Sequence, residues 1–134
     1  MTFRLKITSP YGTFYDKDVQ TINVKTVDGY IGVLENHIPL VSPLEISTMM
    51  IRTSEGERYV TLAGGMIYVK KKETLIVTPA VEFVEDIDIN RAHDAYNRAK
   101  QRLDNKEAFI NIKRAELALS RSLNRIHAYD LYHK

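Results

Sequence analysis

The chain has no cysteine. That excludes a disulfide framework, a thiol nucleophile and a thiolate metal site, and it favours a cytosolic protein. No run approaches the roughly 18 apolar residues of a membrane-spanning helix, and no apolar signal core opens the chain. The motifs of hard chemistry are missing too. GxxxxGK[ST] does not occur, although "LAGGMIYVKKK" supplies Gly64, Gly65 and the lysines. The histidines, His37, His93, His127 and His133, show neither HExxH nor another paired ligand spacing. The serines lack a nucleophile-elbow context, and no pair of acids is placed for general acid–base work. The expectation is a chain with no catalytic residues, no metal and no required cofactor. Gly64 and Gly65 then read as a buried glycine pair in a hairpin, and His37 in "LENHIPL" as a loop residue bonded to nearby backbone.

What is present is a chain of 134 residues, 44% of them hydrophobic. That suffices for one compact domain, or a small domain with an appendage, around a real core. The net charge of +2 is unevenly spread. Residues 1–87 hold 9 Lys and Arg against 11 Asp and Glu, whereas residues 88–134 hold 10 against 6. A basic tail on a mildly acidic body points to an acidic partner (nucleic acid, a nucleotide or an acidic protein surface) or to a solvated helix face. No turn-helix module or aromatic stacking sheet accompanies the basic residues, so nucleic-acid readout is not supported.

Over residues 1–85 the hydrophobic period is two. "FRLKI" turns Phe3, Leu5 and Ile7 inward and Arg4 and Lys6 outward, and "SPYG" ends it with turn residues. "VQTINVKT" is a second strand, and Asp28-Gly29 marks a hairpin before "YIGVL". "ISTMMIR" and "RYVTL" flank the loop "TSEGE"; "MIYVK" and "TLIVTP" flank a turn at 70–73. About ten short strands predict a β-sandwich or flattened barrel.

Over 86–134 the period becomes helical. Ala92, Ala95, Tyr96, Ala99 and Leu103 form one stripe of mostly small residues. Asp104 with Glu107 reads as a capping box for a second helix, whose apolar face is Ala108, Ile112, Ala115, Leu119, Leu123 and Ile126. Two amphipathic helices joined by a short link predict an antiparallel hairpin, giving an α+β chain: sandwich first, hairpin second.

Several stretches in order resemble the epsilon-subunit family of bacterial F-type ATP synthases, and they span nearly the whole chain. They are "VDGYIGVLENHIPLVSPL", "LAGGMIYV", "IDINRA" and "KRAELALSRSLNRI". Two departures stand out: the family usually has Pro-Gly where this chain has Glu35-Asn36, and Ser where it has Ala63. Asn can occupy a left-handed turn position, so the loop can survive the change.

The resemblance implies a noncatalytic rotor subunit at the cytoplasmic face of the bacterial membrane, peripheral and without membrane insertion. Its sandwich would pack on the gamma subunit and the c-ring. Its hairpin would permit turnover when folded down, and inhibit ATP hydrolysis when extended toward the alpha and beta subunits. The alternative, from a different class, is a free-standing ATP-sensing or adaptor module of the same architecture.

The junction "EDIDINRA", residues 85–92, carries the remaining expectation. Asp88 is a natural helix N-cap, with Glu85 and Asp86 favourable near the positive helix end. By resemblance, Ile87, Asp88, Arg91 and Ala92 begin an ATP-binding motif, with Glu82 and Ile87 beside the base. Arg91 can supply charge, and Ala92 leaves room near the backbone. Asp88, repelled by phosphate, would cap the helix or position Arg91. Arg121 and Arg125, four residues apart on one helical face, are the candidates for phosphate contacts. ATP would then be a regulatory ligand. Lys113, Arg114, Arg121 and Arg125 would meet acidic segments of the beta subunits in the extended state.

Overall fold

The structure, a computed structural model, describes residues 1–104 and 112–132. The chain divides into two compact units, Met1–Phe83 and Val84–Lys134.

The first unit contains β1 (Phe3–Ser9), β2 (Gly12–Val19), β3 (Thr21–Thr26), β4 (Gly29–Val33), β5 (Leu40–Thr53), β6 (Gly56–Val69), β7 (Glu73–Val77) and β8 (Val81–Phe83). The strand order is β2-β1-β7-β6-β5-β3-β4, with β8 added on β6. Among the described residues only β1 and β7 pair in parallel; the other pairings are antiparallel. Leu5, Ile7, Ile22, Val24, Met49, Ile51, Val60, Leu62, Ile67 and Ile76 form the closed centre of the core.

Eight strands stand where about ten were expected, because two of them are long. β5 and β6 each run 14 residues. "RYVTL" and "MIYVK" belong to the same strand, β6, and Gly64-Gly65 does not reverse the chain. The glycine pair instead marks a corner. The β5–β6 register is unshifted from Thr53↔Gly56 to Leu40↔Val69, which sets Glu45 opposite Gly64. β7 and β8 follow the same edge of β6, through Met66↔Val77 and Leu62↔Val81, so the break at 78–80 lies beside the glycines.

At this line the inward side chains change phase on both long strands, β5 and β6. On β5, Ser42 and Leu44 are buried on one side of it, and Ser47, Met49 and Ile51 on the other. On β6 the buried sets are Val60 and Leu62, then Ile67 and Val69. Side chains alternate strictly along a regular strand, so a phase change requires irregular backbone. Gly64 and Gly65 provide it at φ values of 83° and 113°. A Cβ on Gly65 would also overlap the carbonyl oxygen of Val77. One long strand pair thereby serves both layers of the sandwich.

β2 escaped the sequence pattern because its outer face is charged and only Tyr15 and Val19 are buried along it. It is an edge strand, held on β1 partly by the Arg4–Asp16 ion pair at 2.7 Å. The second strand read from the sequence therefore divides: Val19 ends β2, and β3 begins at Thr21. In loop 34–38, Asn36 has φ 64° and the His37 N–H donates to the Leu34 carbonyl at 3.2 Å. Asn36 thus takes the left-handed position of a β-turn, as its replacement of glycine required. The Nδ1 of His37 donates to the Ile38 carbonyl at 2.6 Å.

The second unit has a 3-10 turn (Val84–Asp86), α1 (Ile89–Asp104) and α2 (Ile112–Tyr132). α2 packs along α1 and also touches the 3-10 turn that precedes α1. Ala92 and Ala99 are buried on α1, with Ala95, Tyr96 and Leu103 half-buried. On α2 the expected face shifts. Ala115 and Ile126 are buried and Leu119 half-buried, but Ile112 and Leu123 are 62% and 38% exposed. Ser122 and Ala128 are buried instead. A seam between closely approaching helices takes the small Ser122, which turns Leu123 outward. The Ser122 hydroxyl is satisfied within its own helix, where it lies 2.9 Å from the Ala118 carbonyl and 3.0 Å from that of Leu119. Asp104 is the last residue of α1, not the N-cap of α2. Glu107 and Ala108, the rest of the expected cap and stripe, lie outside the described residues, as does His133.

Candidate functional site

The start of α1 is built by Asp88. Its Oδ1 accepts the N–H groups of Asn90 at 3.1 Å and Arg91 at 3.2 Å, and its carbonyl accepts that of Ala92 at 3.0 Å. This is N-cap geometry, and it satisfies donors that the first turn leaves open. Just ahead, the Ile87 N–H donates to the Val84 carbonyl at 3.1 Å, closing the 3-10 turn. Asp88 is therefore a capping group by direct observation.

The other candidates separate by exposure. Arg91 projects from the first turn of α1 and is exposed, as a ligand-binding cation must be. Ile87 is buried at 6% exposure. Ala92 has no accessible surface, so the room expected beside its backbone is already filled by packing. Its small size lets α1 sit close to its neighbours. Glu82 lies on β8 in the first unit, opposite Thr61, and is half-buried.

On α2, Arg121 is exposed and Arg125 half-buried. At about 100° per residue, Arg114, Arg121 and Arg125 fall on one stripe, whereas Lys113 points roughly 100° away from Arg114. The four basic residues thus do not form a single face. The sequence reading missed Ser122 in the seam, and no period singles out a serine between Arg121 and Leu123.

Among the described residues no group of three His, Cys, Asp or Glu is placed to hold a metal ion, and no helix is long and apolar enough to cross a membrane. Chemically, the start of α1 offers one exposed guanidinium on a capped helix end, and α2 carries further cations at Arg121 and Arg125.

Comparison with known proteins covers both units. A family model described as "ATP synthase, Delta/Epsilon chain, beta-sandwich domain" matches residues 2–84. A second, "ATP synthase, Delta/Epsilon chain, long alpha-helix domain", matches residues 85–130. A protein of Bacillus cytotoxicus named ATP synthase epsilon chain is 40% identical over 130 residues, 97% of this chain and 98% of its own length. The protein of that name from Alkaliphilus metalliredigens is 40% identical over 124 residues, 92% of each chain. Among solved structures, a chain of the Euglena gracilis mitochondrial ATP synthase (OSCP/F1/c-ring) superposes with a TM-score of 0.80 at 22% identity, covering 95% of this chain and 81% of that one. A chain of the Tetrahymena thermophila mitochondrial ATP synthase central stalk and c-ring gives 0.58 at 14% identity, covering 97% and 95%. At such identities these two structures establish the fold.

Proposed function

This chain belongs to the ATP synthase epsilon-chain family, and on that footing we propose that it is a noncatalytic, regulatory subunit of the central stalk. The sandwich would join the gamma subunit and the c-ring at the cytoplasmic face of the membrane. The helical hairpin would regulate hydrolysis by moving between a folded and an extended position, reaching the alpha and beta subunits in the latter. The observation that carries this reading is the match of both units, sandwich and helices, to epsilon chains along nearly their full length. Co-purification of the tagged chain with a gamma subunit tests it. A chain that never associates with gamma would belong to a free-standing nucleotide-sensing or adaptor module instead.

ATP is the proposed ligand of the folded hairpin. Arg91 on α1, with Arg121 and Arg125 on α2, would clamp the phosphates, since guanidinium groups pair with phosphate oxygens in bidentate fashion. The packing of α2 along α1, and its contact with the 3-10 turn just ahead of α1, support this. A ligand bound only in the folded position would favour it by roughly 2.7 kcal/mol at a hundredfold excess over Kd. Ile87 and Ala92, both buried, would act by shaping the start of the helix. Calorimetric titration of the isolated chain with ATP is the test, and no heat at millimolar nucleotide would remove the clamp. In the extended position Arg114, Arg121 and Arg125, with Lys113 beside them, would meet acidic segments of the beta subunits. Neutral substitutions at these residues should then relieve inhibition of hydrolysis in the assembled enzyme.

A further inference from the structure

The end of the sandwich that carries loop 34–38 and turn 70–72 has an unusual charge arrangement. Lys70, Lys71 and Lys72 follow one another in the turn between β6 and β7, and all are exposed. Their backbones are pinned. The Lys70 N–H donates to the Glu73 carbonyl at 2.8 Å, the Lys71 carbonyl accepts the Asn36 N–H at 3.0 Å, and the Lys72 carbonyl accepts the Arg4 N–H at 3.0 Å. Their ammonium groups are unengaged: among the described residues none of the three takes part in an ion pair. Local acids do not cancel them. Asp16 and Asp18 are turned to Arg4, at 2.7 and 3.6 Å. The Oε2 of Glu35 is buried without a partner among the described residues. Glu73, next in the turn, is an exposed carboxylate, and Glu35 in the neighbouring loop is half-buried, so the three lysines outnumber these acids.

The bond from Asn36 to Lys71 fastens loop 34–38 to this turn. Two residues to either side of Asn36 stand Leu34 and Ile38, which are 61% and 80% exposed. Val41, near the start of β5, is 62% exposed. Large aliphatic side chains left in water next to uncompensated lysines form a mixed surface with no use inside the fold.

We propose that this end of the sandwich is a docking surface for anionic lipid headgroups. The chemistry separates that partner from the others. Lysine is depleted at the buried centre of protein interfaces, because its charge is compact and strongly hydrated. A nucleic acid calls for guanidinium forks or large aromatic rings to stack its bases, and 34–38 and 70–72 contain no Arg, Phe, Tyr or Trp, while the His37 ring is held to the Ile38 carbonyl. An anionic bilayer needs only a diffuse positive surface, which three flexible ammonium groups on a rigid turn provide. Leu34 and Ile38 would reach the boundary between headgroups and acyl chains, while the lysine stems lie along it with their charges in water. The contact is peripheral and reversible, worth about fivefold in partitioning for each lysine, or roughly a hundredfold for the three.

Flotation of the full chain with vesicles tests this. The chain should float with vesicles containing phosphatidylglycerol at low salt and stay behind with pure phosphatidylcholine. At 0.5 M salt, on the order of a 4 Å Debye length, flotation should be lost. The triple substitution K70Q/K71Q/K72Q should reduce partitioning roughly a hundredfold, and Ile38→Ser should lower it several-fold at unchanged charge. The triple substitution K6Q/K17Q/K25Q, equal in charge but elsewhere on the sandwich, should reduce it far less. A circular dichroism spectrum matching the parent shows that each variant is folded, and Lys71→Glu alone gives a second, milder test. Three outcomes overturn the proposal: no flotation by the parent chain, equal loss from the two triple variants, or retention on immobilised polyglutamate with no flotation. The last would assign the surface to an acidic protein.

Discussion

The guanidinium of Arg58, on β6, stacks over the ring of Phe83 at the end of β8, with 3.6 Å between its central carbon and the ring centroid. Phe83 is also the last residue of the first unit. Its ring meets Phe14 at 4.9 Å and presents an edge contact to Tyr15 at 6.3 Å. The end of the sandwich is therefore fixed by a cation and three rings, immediately before the turn that leads into the helices. A double-mutant cycle with Arg58→Met and Phe83→Leu should give a coupling of about 0.5–1 kcal/mol. Phe83→Ala should lower stability by about 2 kcal/mol, less than for a fully buried ring. Urea denaturation followed by tyrosine fluorescence measures both.

Gly65 has a prediction opposite to that of an ordinary strand glycine, where alanine usually stabilises. A methyl group there would overlap the Val77 carbonyl oxygen, and φ is 113°. Gly65→Ala should cost on the order of 3 kcal/mol or more. At Gly64 the nearest atom is the Leu44 carbonyl oxygen, 3.4 Å away, so only the backbone strain of φ 83° applies. Gly64→Ala should cost about 1–2 kcal/mol. Comparable midpoints for the two variants would remove the corner as the explanation.

Burial raises the pKa of Tyr15 above the ordinary tyrosine value of 10.0, with Arg58 opposing and Glu55 adding to the shift. The folded chain then keeps this proton to higher pH than the unfolded chain does. The stabilisation from Tyr15 is whole below pH about 10 and declines as pH rises through the folded value. Tyr15→Phe has no proton to lose, so the difference between parent and variant should narrow on the alkaline side. Parallel stability curves from pH 9 to 11.5 would show that Tyr15 contributes nothing to the alkaline slope.

The two functions argued for the start of α1 come apart under substitution. Asp88→Ala removes the acceptor for the Asn90 and Arg91 N–H groups and should cost about 1 kcal/mol, with some loss of helical signal. Arg91→Ala should leave the circular dichroism spectrum unchanged while weakening ATP binding in calorimetry. If Arg91→Ala instead melts the helix, its role is in folding.

Legibility followed the regularity of each element. β1 turns Phe3, Leu5 and Ile7 inward as read, and β3, β4 and β7 fall within stretches read as strands. β8 is only three residues long, too short for any period to declare itself. The long strands β5 and β6 were read as fragments because their buried positions shift phase at the corner. A period-two pattern cannot continue through Gly64 and Gly65, and glycines in sequence read as a turn. The cap at Asp88 was legible because it depends on one side chain and the chain immediately after it. Ser122 in the helix seam was not, since its burial depends on how closely another helix approaches. The same limit holds at Ala92: its small size was visible, but the packing that leaves it no exposed surface was not.

The corner has a mechanical consequence. In a sandwich of separate sheets, shear between layers is resisted by interdigitated side chains, which can slip. Here β5 and β6 run from one layer into the other as continuous 14-residue strands, still paired on both sides of the glycines. A load applied to either layer reaches the other through covalent backbone and the hydrogen bonds of a single ladder. The sandwich should therefore behave as one stiff block.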